Sequence, residues 1–264
     1  MIIDLKEHLD KKISIITPIF MPDLELFKQA IKSMLNQTDK NWKWIIVLDG
    51  AKTVNAVDPV RNLLEDDRID VIPCNKRKGV SRARNIGLDK VKCGFVGFLD
   101  CDNWYHVKTV QYVKRAIEES KRIEKPNTKL MFSFNQVVFA QPEHYKDTGL
   151  YVTNVREMDR ELSLLDLAPM SIIDLGQIFH TCGNVRFDPA FNRLVDWDYI
   201  MSLLDNDYQH RFFPMFLSFY DDLYRDNRIS AMCDFKVNRE RIIKKWRKRW
   251  QEVYFKNKYL GDLI

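Results

Sequence analysis

Over the first half of the chain, short apolar runs alternate with stretches whose apolar residues recur every three or four positions. The run "ISIIT", from Ile13 to Thr17, reads as a strand that Pro18 stops, because proline has no N–H to give a ladder. In "LELFKQAIKSMLNQ", Leu24, Phe27, Ile31 and Leu35 then fall at helical spacing. "WKWIIVLDG" predicts the next strand, "DPVRNLLEDD" a helical stretch and "IDVIP" a short strand. "GVSRARNIGLDK" predicts a helix, and "GFVGFL" a strand that leads into Asp100. Strands rich in Ile, Val and Leu that alternate with helices predict a mostly parallel sheet covered on both faces. Ligands of such sheets bind beyond the carboxyl ends of the strands.

The order changes after the helix "TVQYVKRAIEESKRIEK", which ends near Pro126. "LMFSFNQVVFA" and "TGLYVTNV" read as strands of a more antiparallel second half, and "DWDYIMSLLDN" as a helix. The simplest parse is one α/β domain over 1–235, divided into a first half at 12–104 and a second at 105–235, followed by a basic helix over 236–264.

Composition narrows this picture. The 264 residues, 45% of them hydrophobic, suffice for a substantial core. No apolar run approaches the roughly 20 residues of a membrane span, and "MIIDLKEHLDKK" lacks the order of a signal peptide, so cytoplasmic residence is expected. Five cysteines without a C-x-x-C pair predict reduced thiols and neither a disulfide framework nor a zinc site. The net charge of +5 is a property of the tail: residues 236–258 hold ten Lys or Arg against two Glu, which leaves the rest of the chain slightly acidic. There Ile242, Trp246, Trp250 and Tyr254 fall every four residues, beside Ile243 and Val253, with Lys244, Lys245, Arg247, Lys248 and Arg249 on the other faces. Such a basic amphipathic helix either lies on an anionic membrane through residues 239–258 or packs its stripe on the domain. No zinc-finger or RNP pattern supports nucleic acid as a partner, and no P-loop or G-x-G-x-x-G is present.

Asp100 and Asp102 flank Cys101 at the end of the "GFVGFL" strand. In extended geometry both side chains leave the same side of the chain, about 6.6 Å apart along it. Two carboxylates so close repel, and a hard divalent cation joins them to a third party. Mg²⁺ and Mn²⁺ take one or two carboxylates together with phosphate oxygens, which makes a diphosphate the natural partner.

"ISIITPIF", "WKWIIVLDGA", "KGVSRARNIGLDKVKCGFVGFLDCDNWYH" and "FDPAFNRLVDWDYIMSLL" occur in the order and at about the spacing seen in glycosyltransferase family 2, which the chain resembles over roughly 12–230. The resemblance implies a GT-A fold: a Rossmann-like, mixed but mostly parallel sheet flanked by helices, here with a C-terminal helical extension. It implies an inverting glycosyltransferase that moves a sugar from a nucleotide-sugar donor, a UDP-sugar, to an acceptor hydroxyl in cell-envelope polysaccharide or glycolipid assembly, with Mn²⁺ or Mg²⁺ as cofactor. It further implies that Thr17 and Pro18 open the nucleotide pocket, Asp49 holds the base or ribose, and Arg84 lies near the diphosphate. Asp100 and Asp102 match the metal and diphosphate motif, and Asp196 the general base. The chain departs from the family pattern at Leu48 and Ala51, where an acid and a hydroxyl are common, and at Val195, where a glutamate is common.

Other residues admit two readings. Trp104 either walls a sugar pocket or packs in the core, and His180 and Trp197 either contact donor or acceptor or are core residues. Arg82 is assigned to solvent, and Asp198 to capping or bridging the helix it starts. Two rival functions share these features: a sugar nucleotidyltransferase, and a non-catalytic sugar-nucleotide-binding scaffold.

Overall fold

The computed structural model describes residues 13–92, 94–125, 127–140, 152–156, 160–168, 173–222 and 235–261. The expectations for residues 1–12, for Cys93 and Cys233 and for the start of "TGLYVTNV" lie outside the described residues. Among the described residues nine strands form one sheet in the order β3-β2-β1-β4-β8-β6-β9-β5, with β7 paired to β6. The first half is β1 (Ile13–Ile19), β2 (Trp42–Asp49), β3 (Ile69–Cys74) and β4 (Phe95–Phe98), all joined in parallel. The second half is β5 (Trp104–Tyr105), β6 (Leu130–Ala140), β7 (Val152–Arg156), β8 (Ile178–Thr181) and β9 (Gln209–Asp222). Its pairs are antiparallel except β6 with β9. The parallel half, the more antiparallel second half and the flanking helices are those read from the residue pattern.

Alternation along the strands builds a core on each face of the sheet. Ile13, Ile15, Trp42, Trp44 and Ile46 face one side with Phe27, while Ile16, Ile45 and Val47 face the other with Ala83 and Leu88. Helix α1 (Leu24–Leu35) covers the first face. Asp23 caps it by accepting from the amides of Glu25 and Leu26. The short α2 (Ala51–Ala56) and a 3-10 turn, Asp58–Leu64, follow β2. Helix α3 (Val80–Lys90) covers the second face, α4 (Thr109–Ile123) returns to the first, and α5 (Val195–Asp205) and α6 (Phe235–Gly261) complete the chain order.

One expectation about proline is corrected, and a second proline sits in a strand the residue pattern does not reveal. Pro18 does not end β1, which runs on to Ile19 with Pro18 opposite Val47 of β2. The carbonyl of Ile16 accepts from Leu99 on the β4 side, so by parity the missing N–H of Pro18 also faces that side, beyond the end of β4, where no ladder bond is lost. "QHRFFPMFLSFYDD", to which the sequence reading assigns no element, forms β9 although Pro214 lies within it. The pairing with β6 passes from Phe134↔Phe213 to Asn135↔Phe216, and the bulge takes Pro214 out of register.

β4 approaches β8 closely at Gly97, where an added Cβ would fall inside the contact distance of the buried Phe179 ring. Gly97→Ala is therefore expected to destabilise the protein by about 1–3 kcal/mol, the usual cost of overpacking. A thermal melt of this variant that matches the parent would remove this close packing from the account of β4.

Candidate functional site

Strand order reverses between β1 and β4, and the loops that leave their carboxyl ends enclose a cavity of about 270 Å³. The β1 loop contributes Phe20, Met21 and Asp23, and the β4 end contributes Asp100, Cys101 and Asp102. Arg84 reaches the cavity from α3, Tyr220 from β9, Asp174 from the turn before β8, and Asp196 from the start of α5. Five carboxylates thus line the cavity against the guanidinium groups of Arg84 and Arg193.

Asp100 and Asp102 are not extended, as the sequence reading had them. The chain turns at Cys101 and Asp102, closed by the amide of Asn103 on the carbonyl of Asp100, and both acids nevertheless reach the cavity. Arg84 donates from Nη2 to Asp100 Oδ1 at 2.7 Å and is 4% exposed. Its Nε is buried without a hydrogen-bond partner among the described residues, and an unpaired buried N–H beside a cavity suits an anionic ligand. The Cys101 thiol is pushed well up by burial, with the carboxylates of Asp102 and Asp100 adding to the shift, which disfavours the thiolate.

Asp196 lies in the first turn of α5, where an anion is ordinarily favoured. Here burial outweighs that preference and pushes its carboxyl up to about 6. The Asp174 carboxylate adds to the rise, while the Trp197 amide and the Arg84 guanidinium oppose it. A carboxylate that gains and loses its proton near neutrality is matched to proton transfer.

Among the described residues, no cluster of three His, Cys, Asp or Glu could hold a metal by itself. This donor set fits a hard cation that completes its shell with phosphate oxygens and water, and it does not suit zinc.

The remaining assignments divide. Pro18 lines both the main cavity and a smaller one of about 90 Å³ between Phe20, Arg77, Gly79 and Val80. Thr17 does not: it is fully buried, donates to the Leu99 carbonyl and accepts from the Trp44 indole. Asp49 borders the smaller cavity, but its oxygens accept the amides of Lys78 (2.6 Å) and Gly79 (2.9 Å), so it shapes this loop. Gly79, at φ 90°, supplies the left-handed turn that carries the loop into α3.

Trp104 packs against both Phe139 and Phe219, which also stack on each other, and lines neither cavity. His180 is a core residue that donates from Nδ1 to the Thr181 carbonyl and accepts at Nε2 from the Tyr199 hydroxyl. Trp197 is buried, with its indole N–H on the Leu167 carbonyl. Arg82 is exposed, as expected.

Asp174, Arg193, Tyr220 and the Arg77–Phe20 pair escaped the sequence reading. Arg77 lies 3.9 Å over the Phe20 ring, at the smaller cavity. For Asp174 a signal was present: it and Gln177 form a capping box around the turn Leu175–Gln177, but a cap motif does not say what the cap faces.

The stripe of α6 packs on the domain. Ile242 and Trp246 are buried, Trp250 stacks on Trp197 at 6.4 Å, and Ile243 and Val253 lie against the same core, while Tyr254 is 54% exposed. Most of the apolar face that the membrane reading of 239–258 requires is therefore covered. No helix among the described residues is long and apolar enough to cross a membrane.

The profile of glycosyl transferase family 2 matches residues 14–148, half of the chain. The chain belongs to this family. It is 22% identical over 96% of its length to an uncharacterized glycosyltransferase of Methanocaldococcus jannaschii, of which it covers 86%. It is 26% identical over 75% of its length to the poly(ribitol-phosphate) beta-N-acetylglucosaminyltransferase TarP of Staphylococcus aureus, of which it covers 64%. The fold resembles that of S. aureus TarS residues 1–349, solved in complex with UDP-GlcNAc, with a TM-score of 0.62 and 15% identity over 84% of this chain and 61% of that one. This likeness shows that the sheet and its helices have the GT-A arrangement. The chain spans only 16% and 36% of the length of two other curated relatives it matches.

Proposed function

We propose that this family 2 chain is an inverting glycosyltransferase that moves a sugar from a UDP-sugar to an acceptor hydroxyl. The observation that carries this reading is the convergence of Asp196, its carboxyl near pH 6, and the Arg84–Asp100 pair on one cavity at the switch point of the sheet. The smaller cavity beside Phe20 and Arg77 suits the nucleobase, and the turn Asp100–Asp102 suits the diphosphate.

Mn²⁺ or Mg²⁺, held by Asp102 and Asp100, would supply positive charge to the diphosphate. Arg84 donates to the same region and stabilises the charge that grows on the leaving group. Asp196 takes the proton of the acceptor hydroxyl as its oxygen bonds to the anomeric carbon and the bond to the diphosphate breaks. Attack opposite the leaving group inverts the anomeric centre. The names of two relatives, TarP and a Bacillus subtilis teichuronic acid biosynthesis glycosyltransferase, support an acceptor among cell-envelope polymers and UDP-GlcNAc as the first donor to test.

Titration of the full chain with UDP, with and without Mn²⁺, tests the site. Affinity is expected to rise with metal in the parent and not in Asp102→Asn, with EDTA reproducing the variant. Equal affinity of the two proteins in Mn²⁺ would reject the assignment of Asp102. Release of pyrophosphate in place of UDP on turnover would select a nucleotidyltransferase, and binding of UDP-sugars without turnover a scaffold.

A further inference from the structure

Helix α5 begins in an unusual way. Its N-cap, Leu194, has the left-handed conformation (φ 57°) and makes no side-chain cap bond, and the first helical bond, from Asp198 N to Leu194 O, is long at 3.4 Å. A first turn without an N-cap side chain frays unless something else holds it. Within the turn the Asp196 carboxylate accepts from the Trp197 amide, and a second hold comes from the far end of the chain. Asp198, 2% exposed, accepts from Trp246 Nε1 at 2.7 Å and from Lys245 Nζ at 2.9 Å. Lys245 also donates to Asp188 at 3.0 Å, which ties the segment ahead of α5 to the same point. Trp197 adds its stack on Trp250.

The geometry points to α6 as a positioning element of the site: Trp246 and Lys245, acting through Asp198, hold the first turn of α5 and with it the orientation of Asp196. Residues two apart on a helix face different ways, so Asp198 is turned to α6 while Asp196 lines the cavity. The basic, aromatic tail is thereby part of the machinery. The inference rests on the proposed role of Asp196 for its catalytic consequence, but the clamp itself does not.

Hydrogen exchange by mass spectrometry on the full chain reads the clamp directly. Trp246→Phe keeps a smaller aromatic ring and removes the N–H, and Lys245→Met keeps the stem and removes the charge. Each is expected to speed exchange at the start of α5, from the Asp198 amide onward, by about tenfold or more, the loss of one bond to a buried charge, with a fall in Tm of a few degrees, no general rise in exchange elsewhere, and UDP affinity in Mn²⁺ near the parental value. Lys245→Arg should restore protection. With UDP-GlcNAc as the probe, Trp246→Phe and Lys245→Met should lower kcat for donor hydrolysis and leave KM unchanged. Parental exchange in both variants, or faster exchange spread evenly through the whole chain, overturns the inference. Parental hydrolysis by Asp196→Asn overturns the reading of the base instead.

Discussion

Asp196→Asn is expected to lower sugar transfer by about 10²- to 10⁴-fold, the usual contribution of a general base, while affinity for UDP with Mn²⁺ stays near the parental value. In the parent, activity should fall as pH drops through about 6, where the carboxyl takes up its proton. The same substitution should stabilise the fold. A carboxyl raised from 3.8 to about 6 is disfavoured when ionised in the folded chain, so its cost is absent below pH 3.8 and complete above pH 6. That shift corresponds to about 3 kcal/mol, which the asparagine does not incur at pH 7.5. Single-turnover transfer and denaturant midpoints of the two proteins test both halves. Retention of full transfer, or an Asn variant less stable than the parent at pH 7.5, would count against a carboxylate strained for catalysis.

Much of this site was legible because its residues follow strands. Asp100 and Asp102 come directly after a buried apolar run, and Arg84 falls in the first turns of a helix that a glycine opens, so periodicity alone places all three at the carboxyl ends of strands. What the sequence could not give was the direction of a side chain. Thr17 sits beside Pro18 in β1, yet alternation turns its hydroxyl toward Trp44 and Leu99. His180 and Trp197 lie one or a few residues from the cavity wall and point into the core, where long-range partners such as Tyr199 and Leu167 satisfy them. Asp174 enters the site through a turn that only the pairing of β8 with β4 and β6 brings near α5, a contact of high sequence separation with no local signature. The partners of Asp198 were hidden for the same reason. An acid in a first turn reads as a dipole partner, whereas its partners lie some fifty residues away on α6.

Acid should destabilise the Asp196→Asn variant more steeply than the parent. His180 and His210 are both buried, and burial holds each near pKa 4, below the ordinary 6.5. Their hydrogen bonds require neutral rings: the Tyr199 hydroxyl donates to Nε2 of His180, and the Leu162 amide donates to Nδ1 of His210. Protonation places a second donor against each of these groups. Because the folded values are depressed, the stability each histidine contributes is complete above pH 6.5 and is lost as pH falls from 6.5 through about 4, to the extent of about 3 kcal/mol apiece. Asp196 acts in the opposite sense over almost the same interval, since the folded chain takes up its proton first and is relieved of the ionised carboxylate. In the parent this relief offsets about half of the loss from the histidines. In Asp196→Asn nothing titrates at that position, and the fall between pH 7 and pH 4 should be about twice as large. Denaturant midpoints for both proteins across this range measure the difference. A parent curve as steep as that of the variant would show that Asp196 ionises without strain, and a flat variant curve that the two buried histidines carry no such penalty.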